Sequence, residues 1–462
     1  MDSTLLTKIT HPDAPFLITK EQVFTYADLL NYTEDLAGRI AENKRPIPLV
    51  VPEVTTEDVF TVAGYFLLGI PVLIASQSGY AEPLEFKDLA EDTSSSENQI
   101  VSWLFTSGTT AHAKCVPIRM RQIQAASRAA KERFAPEKGK AWLLTLPLYH
   151  VGGLSILYRS ILWQTAVYLP PTREIPVIAE LLENETRIQT ASLVYTQWKR
   201  LSDAGITPHK KMKAILLGGG PIPDSFIQKL KTASPSGKDS EKTIPPLYNS
   251  YGMTETFAMI ACRDLQKTDT LGNVGFLMAQ NQIRVNQHDE IELKGPQVFG
   301  GYASLHNSAE NFDTTQTLSS FTGDGWFRTG DVGRLEHDGS LTVLSRRVDR
   351  IVSGGKNITP YETESALLEL PYIKEAAVTG LEDPEWGEIV VALVVVNSHA
   401  DPDIHELTES IRADLRSKLE PSSLPKRIFP VKELTKTALG KIRRDELRYI
   451  AADLAGLTPL DK

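Results

Sequence analysis

Two cysteines, Cys115 and Cys262, are all that 462 residues contain, and no C-x-x-C pair occurs. That scarcity excludes a disulfide framework and a cysteine-built structural zinc, and it fits a reducing compartment. The nine histidines never fall in H-E-x-x-H or H-x-x-x-H spacing, so no catalytic zinc is expected. Long apolar runs are missing too. The longest, IVVALVVV from Ile389, has eight residues, enough for a buried strand and far short of the ~20 that a membrane helix needs. Positive charge is in deficit, with 49 Lys and Arg against 58 Asp and Glu and a formal net charge of −9. A nucleic-acid binder would show the opposite balance, so any phosphate this chain takes is expected at a local site. The opening MDSTLLTKITHPDAPF lacks the basic-then-apolar order of a signal peptide. Together these absences point to a cytoplasmic protein without membrane insertion and without a nucleic-acid partner.

What is present is a globular composition, 41% hydrophobic and 23% charged. The length exceeds one ordinary core and calls for two domains or more. QIVSWLF, AWLLTLPL, TAVYLP, ASLVYT and KAILLGG read as strands, and QIQAASRAAKERF and PDSFIQKLKTA as helices between them. Such alternation predicts an α/β fold with parallel sheets, whose ligands collect at the carboxyl ends of strands. Around Asn273 the pattern changes: QIRVNQHDEIELKG and GRLEHDGSLTVLSRR read as antiparallel hairpins. Beyond Arg347 come a Gly-Gly turn, a helix from Pro360 and the strands KEAAVTG and EIVVALVVV. The expected domains are therefore 1–347 and 348–462. Residues 89–98 and 231–246 read as polar surface loops, and no internal repeat is found.

TSGTTAHAK, Thr106 to Lys114, follows the first of these strands. It fails the Walker A pattern, because Ala113 and Cys115 flank the lysine. Its hydroxyls on Thr106, Ser107, Thr109 and Thr110, the turn at Gly108 and the charge of Lys114 nonetheless suit a polyphosphate. Taken alone, it also reads as a polar turn between strand and helix. YGMTET puts Tyr251, Gly252, Thr254 and Glu255 in close order; the carboxylate suits Mg²⁺ beside a phosphate, while the same letters could cap a helix. Gly218, Gly219, Gly220 and Pro221 allow a flat ligand to approach the backbone, or simply turn a strand into a helix. Asp331, expected in a tight turn, could accept both ribose hydroxyls or close an Asx-turn. Lys441 after Gly440 lies in a basic run that alone reads as solvated surface. His150 alone is undecided between core and pocket.

In this order, TSGTTAHAK, LPLYH, LGGGP, YGMTET, GWFRTGDVG, RRVDRIVSGGKNITPYETE and TKTALGKIRR resemble the adenylate-forming enzymes, which include acyl-CoA ligases, luciferases and peptide-synthetase adenylation domains. The resemblance implies a large N-terminal domain of layered mixed and parallel sheets with helices and a β-rich subdomain, followed by a small mobile α+β C-terminal domain. It implies ATP, Mg²⁺ and coenzyme A as cofactors and a small carboxylic acid as substrate. Thr106–Lys114 would hold the pyrophosphate end of ATP. Gly218–Pro221, Tyr251 and Gly252 would line the adenine, Thr254 and Glu255 would meet the α-phosphate and Mg²⁺, and Asp331 and Arg346 would hold the ribose. Val348 falls at the expected hinge, Gly354 and Gly355 on the turn facing pantetheine, and Lys441 between substrate carboxylate and α-phosphate. The chain departs from the family pattern at Ala111, Ala113 and Thr435.

Within the family, LPLYHVGGLSILYRS, LLGGGPIP and SGGKNITPYETE most resemble the ligases acting on o-succinylbenzoate in menaquinone and phylloquinone formation, where His150 would border the aromatic acid. Similar enzymes often carry serine where Gly152 stands. Lys199 and Arg200 are candidates for a second substrate carboxylate. Alternatives are a ligase for a benzoate- or coumarate-like acid, a non-catalytic nucleotide-binding protein, and an adenylation domain feeding a carrier, the last disfavoured because no carrier segment follows Lys441. A homo-oligomer is compatible with the sequence, but nothing in it selects one.

Overall fold

In the computed structural model the described residues are 5–42, 48–50, 54–75, 97–106, 114–220, 222, 226–228, 230, 244–267, 272–303, 314–346, 349–397, 404–436 and 442–456. The chain begins with β1 (Pro15–Ile18), β2 (Val23–Thr25), α1 (Tyr26–Glu42), β3 (Pro48–Val50), α2 (Thr56–Leu68), β4 (Val72–Ala75), β5 (Ile100–Thr106) and β6 (Lys114–Arg119). It continues through α3 (Met120–Phe134), β7 (Ala141–Leu143), α4 (Val151–Trp163), β8 (Ala166–Tyr168), α5 (Ile175–Asn184), β9 (Ile188–Val194), α6 (Tyr195–Asp203), β10 (Ala214–Gly218), β11 (Leu247–Met253) and β12 (Ala258–Asp264). Next are β13 (Asn273–Leu277), β14 (Gln282–Val285), β15 (Glu290–Lys294), α7 (Thr314–Ser320), β16 (Phe327–Leu335) and β17 (Leu341–Arg346). Last come β18 (Ile351–Ser353), β19 (Lys356–Ile358), α8 (Pro360–Leu368), β20 (Ile373–Asp383), β21 (Gly387–Val396), α9 (Ile404–Leu415), β22 (Arg427–Pro430) and α10 (Arg444–Leu454).

Three sheets result. The longest path runs β14-β15-β16-β17-β13-β12-β11-β10-β9-β7-β8-β1-β2, the second is β3-β4-β5-β6, and the third holds β18 to β22. Among the described strands, all before residue 347 belong to the first two sheets and all after 350 to the third. The expected boundary at 347/348 lies outside the described residues. No helix among the described residues is long and apolar enough to cross a membrane.

Local chemistry explains the elements. In α2 the Thr55 hydroxyl caps the Asp58 N–H and the Asp58 carboxylate accepts from the Thr55 N–H, while Gly69 ends the helix in the left-handed region. In α3, Ile123, Ala126, Ala130 and Phe134 fall on one buried face. The apolar run from Ile389 is a strand covered on both sides. Val390, Ala392 and Val394 enter one core cluster, and Ile389, Val391, Leu393 and Val395 another.

Parallel pairing holds from β9 through β10 to β11, as it does from β3 through β4 to β5. The switch to antiparallel comes at β12, earlier than the expected change near Asn273. Thr254–Thr256 form a single 3-10 turn, and Phe257 (φ 48°) and Ala258 (φ 67°) fold the chain straight back. YGMTET therefore opens no helix. The Thr256 hydroxyl accepts from the Met253 N–H at 3.1 Å and donates to the Ala258 carbonyl at 2.9 Å, which satisfies the turn locally. The helix expected from PDSFIQKLKTA is only partly described, at Phe226–Gln228 and Leu230.

Candidate functional site

Parallel pairing sets Val194 beside Gly218 and Leu217 beside Asn249, so β9 and β10 finish side by side while β11 runs on past them to Met253. Gly218 is the last residue of β10 as expected, followed by Gly219 and Gly220, while Pro221 lies outside the described residues. The open edge expected of an α/β sheet is thus lined by the three glycines and by Tyr251 on β11.

β5 and β6 pair antiparallel with Thr106 opposite Lys114. The chain after Thr106 therefore returns as a second strand and not as the expected helix: Cys115–Arg119 are buried and pair with β5 instead of coiling. Ser107, Gly108, Thr109, Thr110, Ala111 and Ala113 lie outside the described residues. Lys114 directs its ammonium at the Tyr302 ring, 4.9 Å from the centroid.

Glu255 sits in the 3-10 turn and is buried. Its carbonyl accepts from the Phe299 N–H at 2.8 Å and from Gln122 Nε2 at 3.3 Å, anchoring the turn from two directions. Its Oε1 accepts from the Tyr302 hydroxyl at 2.9 Å. Gly252, just before the turn, is backbone-bound in a literal sense: a Cβ there would stand 1.8 Å from the Ala258 carbonyl oxygen. Among the described residues no group of three or more His, Cys, Asp and Glu stands together to hold a metal. Glu255 could hold a Mg²⁺ together with phosphate oxygens and water, as this hard cation commonly binds.

Asp331 lies in the middle of β16, directly across from Arg346 on β17, and not in the expected turn. The turn of that hairpin falls at 336–340 instead, because β16 runs on for nine residues through GDVG. The carboxylate is fixed from both sides: Arg346 Nε stands 2.8 Å from Oδ1, and the Tyr251 hydroxyl donates to Oδ2 at 2.7 Å. Burial, then the neighbouring Asp331 charge, pushes the Tyr251 phenol well above its usual pKa. It remains a donor at any working pH. The Arg346 guanidinium feels the charges of both Asp331 and Glu255. Residues 114, 251, 255, 331 and 346 thus converge, and Tyr302 joins them. Sequence reasoning missed Tyr302, because GGYAS carries no local chemical signal.

His150 stands at the N-cap position of α4 without a side-chain capping bond and is half-buried, its ring 4.6 Å from that of Tyr149. The two glycines after it differ in kind. A Cβ on Gly152 would meet only a terminal methyl of Leu146 at 2.8 Å, whereas on Gly153 it would strike the Pro147 and Leu146 carbonyl oxygens at 2.2 and 2.5 Å. Gly152→Ser is expected to cost about 1 kcal/mol or less and Gly153→Ala about 3 kcal/mol. Thermal melts would separate them, and equal melting temperatures would contradict the geometry. Lys199 is paired with Asp203 at 2.5 Å and Arg200 is exposed, so neither stands as an enclosed cation.

In the third sheet Gly354 (φ 55°) and Gly355 (φ 77°) form the two-residue turn between β18 and β19, a conformation that glycine adopts without strain. The Gly354 N–H donates to the Trp386 carbonyl at 2.8 Å, and Lys426 Nζ lies 3.4 Å from the Trp386 ring centroid. Val348 and Lys441 lie outside the described residues. The flanks of the latter are joined by a bridge between Lys436 and Ile442.

Residues 61–303 match the AMP-binding enzyme family, and residues 362–441 match the AMP-binding enzyme C-terminal domain. A 2-succinylbenzoate–CoA ligase of Listeria monocytogenes is 34% identical over 386 residues, 82% of this chain and 75% of that protein. Among solved structures, o-succinylbenzoate CoA synthetase (MenE) of Bacillus subtilis in complex with the acyl-adenylate intermediate OSB-AMP gives a TM-score of 0.79 at 25% identity, covering 96% of this chain and 97% of that one. The same synthetase with ATP and a magnesium ion gives 0.78 at 25% identity, covering 96% and 98%.

Proposed function

From the premise that this chain belongs to the AMP-binding enzyme family, we propose that it is an acid–thiol ligase that joins 2-succinylbenzoate to coenzyme A at the expense of ATP, in menaquinone or phylloquinone biosynthesis. The observation that carries this reading is the convergence of Glu255, Asp331, Arg346 and Tyr251 beside the glycine edge of the large sheet. A carboxylate is a poor electrophile. Attack of the substrate carboxylate on the α-phosphorus of ATP gives an acyl-adenylate and pyrophosphate, and the coenzyme A thiol then displaces AMP.

Asp331, held by Arg346 and Tyr251, would receive the ribose hydroxyls in a fixed position and so anchor the nucleotide in the site. Lys114 and the loop before it would hold the pyrophosphate end. Thr254 and Glu255 would face the α-phosphate. When bound, Mg²⁺ supplies charge neutralisation on the phosphates, and Glu255 is the residue to hold it. Lys441 would add a cation at the in-line centre. The domains would divide at 347/348, with the C-terminal one turning near Val348 to withdraw Lys441 and present Gly354 and Gly355 to pantetheine. A cytoplasmic location accords with these water-borne substrates.

Thioester formation measured across 2-succinylbenzoate, benzoate, coumarate and an aliphatic acid tests the substrate. The expected result is a kcat/KM for 2-succinylbenzoate at least ~10²-fold above the others, a margin that pocket fit alone can supply and that a paired polar group would enlarge. Preference for benzoate or coumarate would transfer the assignment to that acid.

A further inference from the structure

We propose that Tyr302 is the positioning residue of the metal site, aiming the Glu255 carboxylate at Mg²⁺ while its ring face carries the Lys114 ammonium of the phosphate loop. This rests on the reading of Glu255 as the metal ligand.

Tyr302 is 4% exposed and fixed on several sides. Its backbone N–H donates to Thr317 Oγ1 at 2.9 Å. The Phe299 ring packs edge-on with centroids 4.8 Å apart. The next residue, Ala303, bridges to Cys115, the neighbour of Lys114, with its N–H on the Cys115 carbonyl at 2.9 Å. From this mounting the phenol donates to Glu255 Oε1 at 2.9 Å, and the ring centroid lies 4.9 Å from Lys114 Nζ.

The chemistry follows from donor counting. A carboxylate has two oxygens, and a phenol on Oε1 fixes its plane and leaves Oε2 for the cation. No hydrogen bond to Oε2 forms among the described residues. Outer hydrogen bonds of this kind commonly set metal affinity by roughly 10–100-fold when removed. The same ring stations a lysine one residue beyond the loop's hairpin end. One side chain therefore sets the spacing between the carboxylate for the metal and the ammonium for the phosphates, two groups 141 positions apart in sequence, from 114 to 255.

The test is the metal-dependent gain in nucleotide affinity: the dissociation constant of ATP in chelator divided by that of Mg·ATP, measured by calorimetry, with melting temperature alongside. Tyr302→Phe keeps the ring and should lower this gain about tenfold with metal-free ATP affinity unchanged, while loss of the hydrogen bond to the buried Glu255 carboxylate lowers the melting temperature by a few degrees. Tyr302→Leu should in addition weaken metal-free ATP binding about two- to fivefold, because Lys114 loses its ring face. Loss of the gain in Glu255→Gln with a normal gain in Tyr302→Phe would overturn this inference and leave the proposed ligase intact. A normal gain in Glu255→Gln would remove Glu255 from the metal and the inference with it. An equal loss of both affinities in Tyr302→Phe would mark a merely structural tyrosine and would also overturn it.

Discussion

Lys441→Ala is expected to lower acid-dependent pyrophosphate release roughly 10²–10³-fold, the usual cost of deleting one charge or donor aimed at a developing anion. Conversion of supplied acyl-adenylate and coenzyme A to thioester should stay within a few-fold of the parent. The argument is one of timing. The adenylation step gathers negative charge on the α-phosphoryl group, and a fixed cation there is worth most when that charge is in line with an incoming carboxylate. In the thioester step the electrophile is already a mixed anhydride, and the Gly354–Gly355 turn would take the place of the lysine loop. Rapid-quench assays of the two half-reactions check it. Equal loss in both would remove the division of labour between the two faces of the C-terminal domain.

Asp331→Ala should raise the KM for ATP by about 10²-fold, with a smaller effect on kcat. The residue is a cross-strand partner of Arg346, and its two oxygens already engage a guanidinium and a phenol at 2.8 and 2.7 Å. On the proposed reading its removal would deprive the ribose of its acceptor, and it leaves those two donors without it; orphaning a polar group costs about 1–3 kcal/mol. Arg346 is half exposed, so water softens its share of that cost. A contact with ribose would be made in ground state and transition state alike, which is why KM should carry the change. Asp331→Asn keeps the shape and one acceptor and should fall between the two. Steady-state kinetics with ATP as varied substrate, beside a melting curve, decide it; an unchanged KM would place the ribose elsewhere.

The ordered motifs made the family readable because their residue types and order, taken together, are specific even where each motif alone is not. The glycines at 218–220 do end a strand, and Glu255 and Asp331 do lie within reach of one guanidinium. What sequence could not give was which backbone carries each group. TSGTTAHAK looks like a loop into a helix, and only the pairing of Trp103 with Pro117 and Thr106 with Lys114 makes it a hairpin. YGMTET looks like a helix start, yet two consecutive left-handed residues reverse the chain. Asp331 looks like a turn residue because glycines flank it, but the sheet overrides local propensity and extends β16 through them. Tyr302 was invisible for a further reason: its importance comes from contacts with residues 114 and 255, far off in sequence, and such contacts leave no local pattern.

The central claim is that one nucleotide site activates an acid. Exchange of labelled pyrophosphate into ATP, run with 2-succinylbenzoate, Mg²⁺ and no coenzyme A, tests it most directly. The account expects exchange that requires the acid and is lost in Lys441→Ala. Absence of exchange with every acid, in a protein that still binds Mg·ATP, would contradict it.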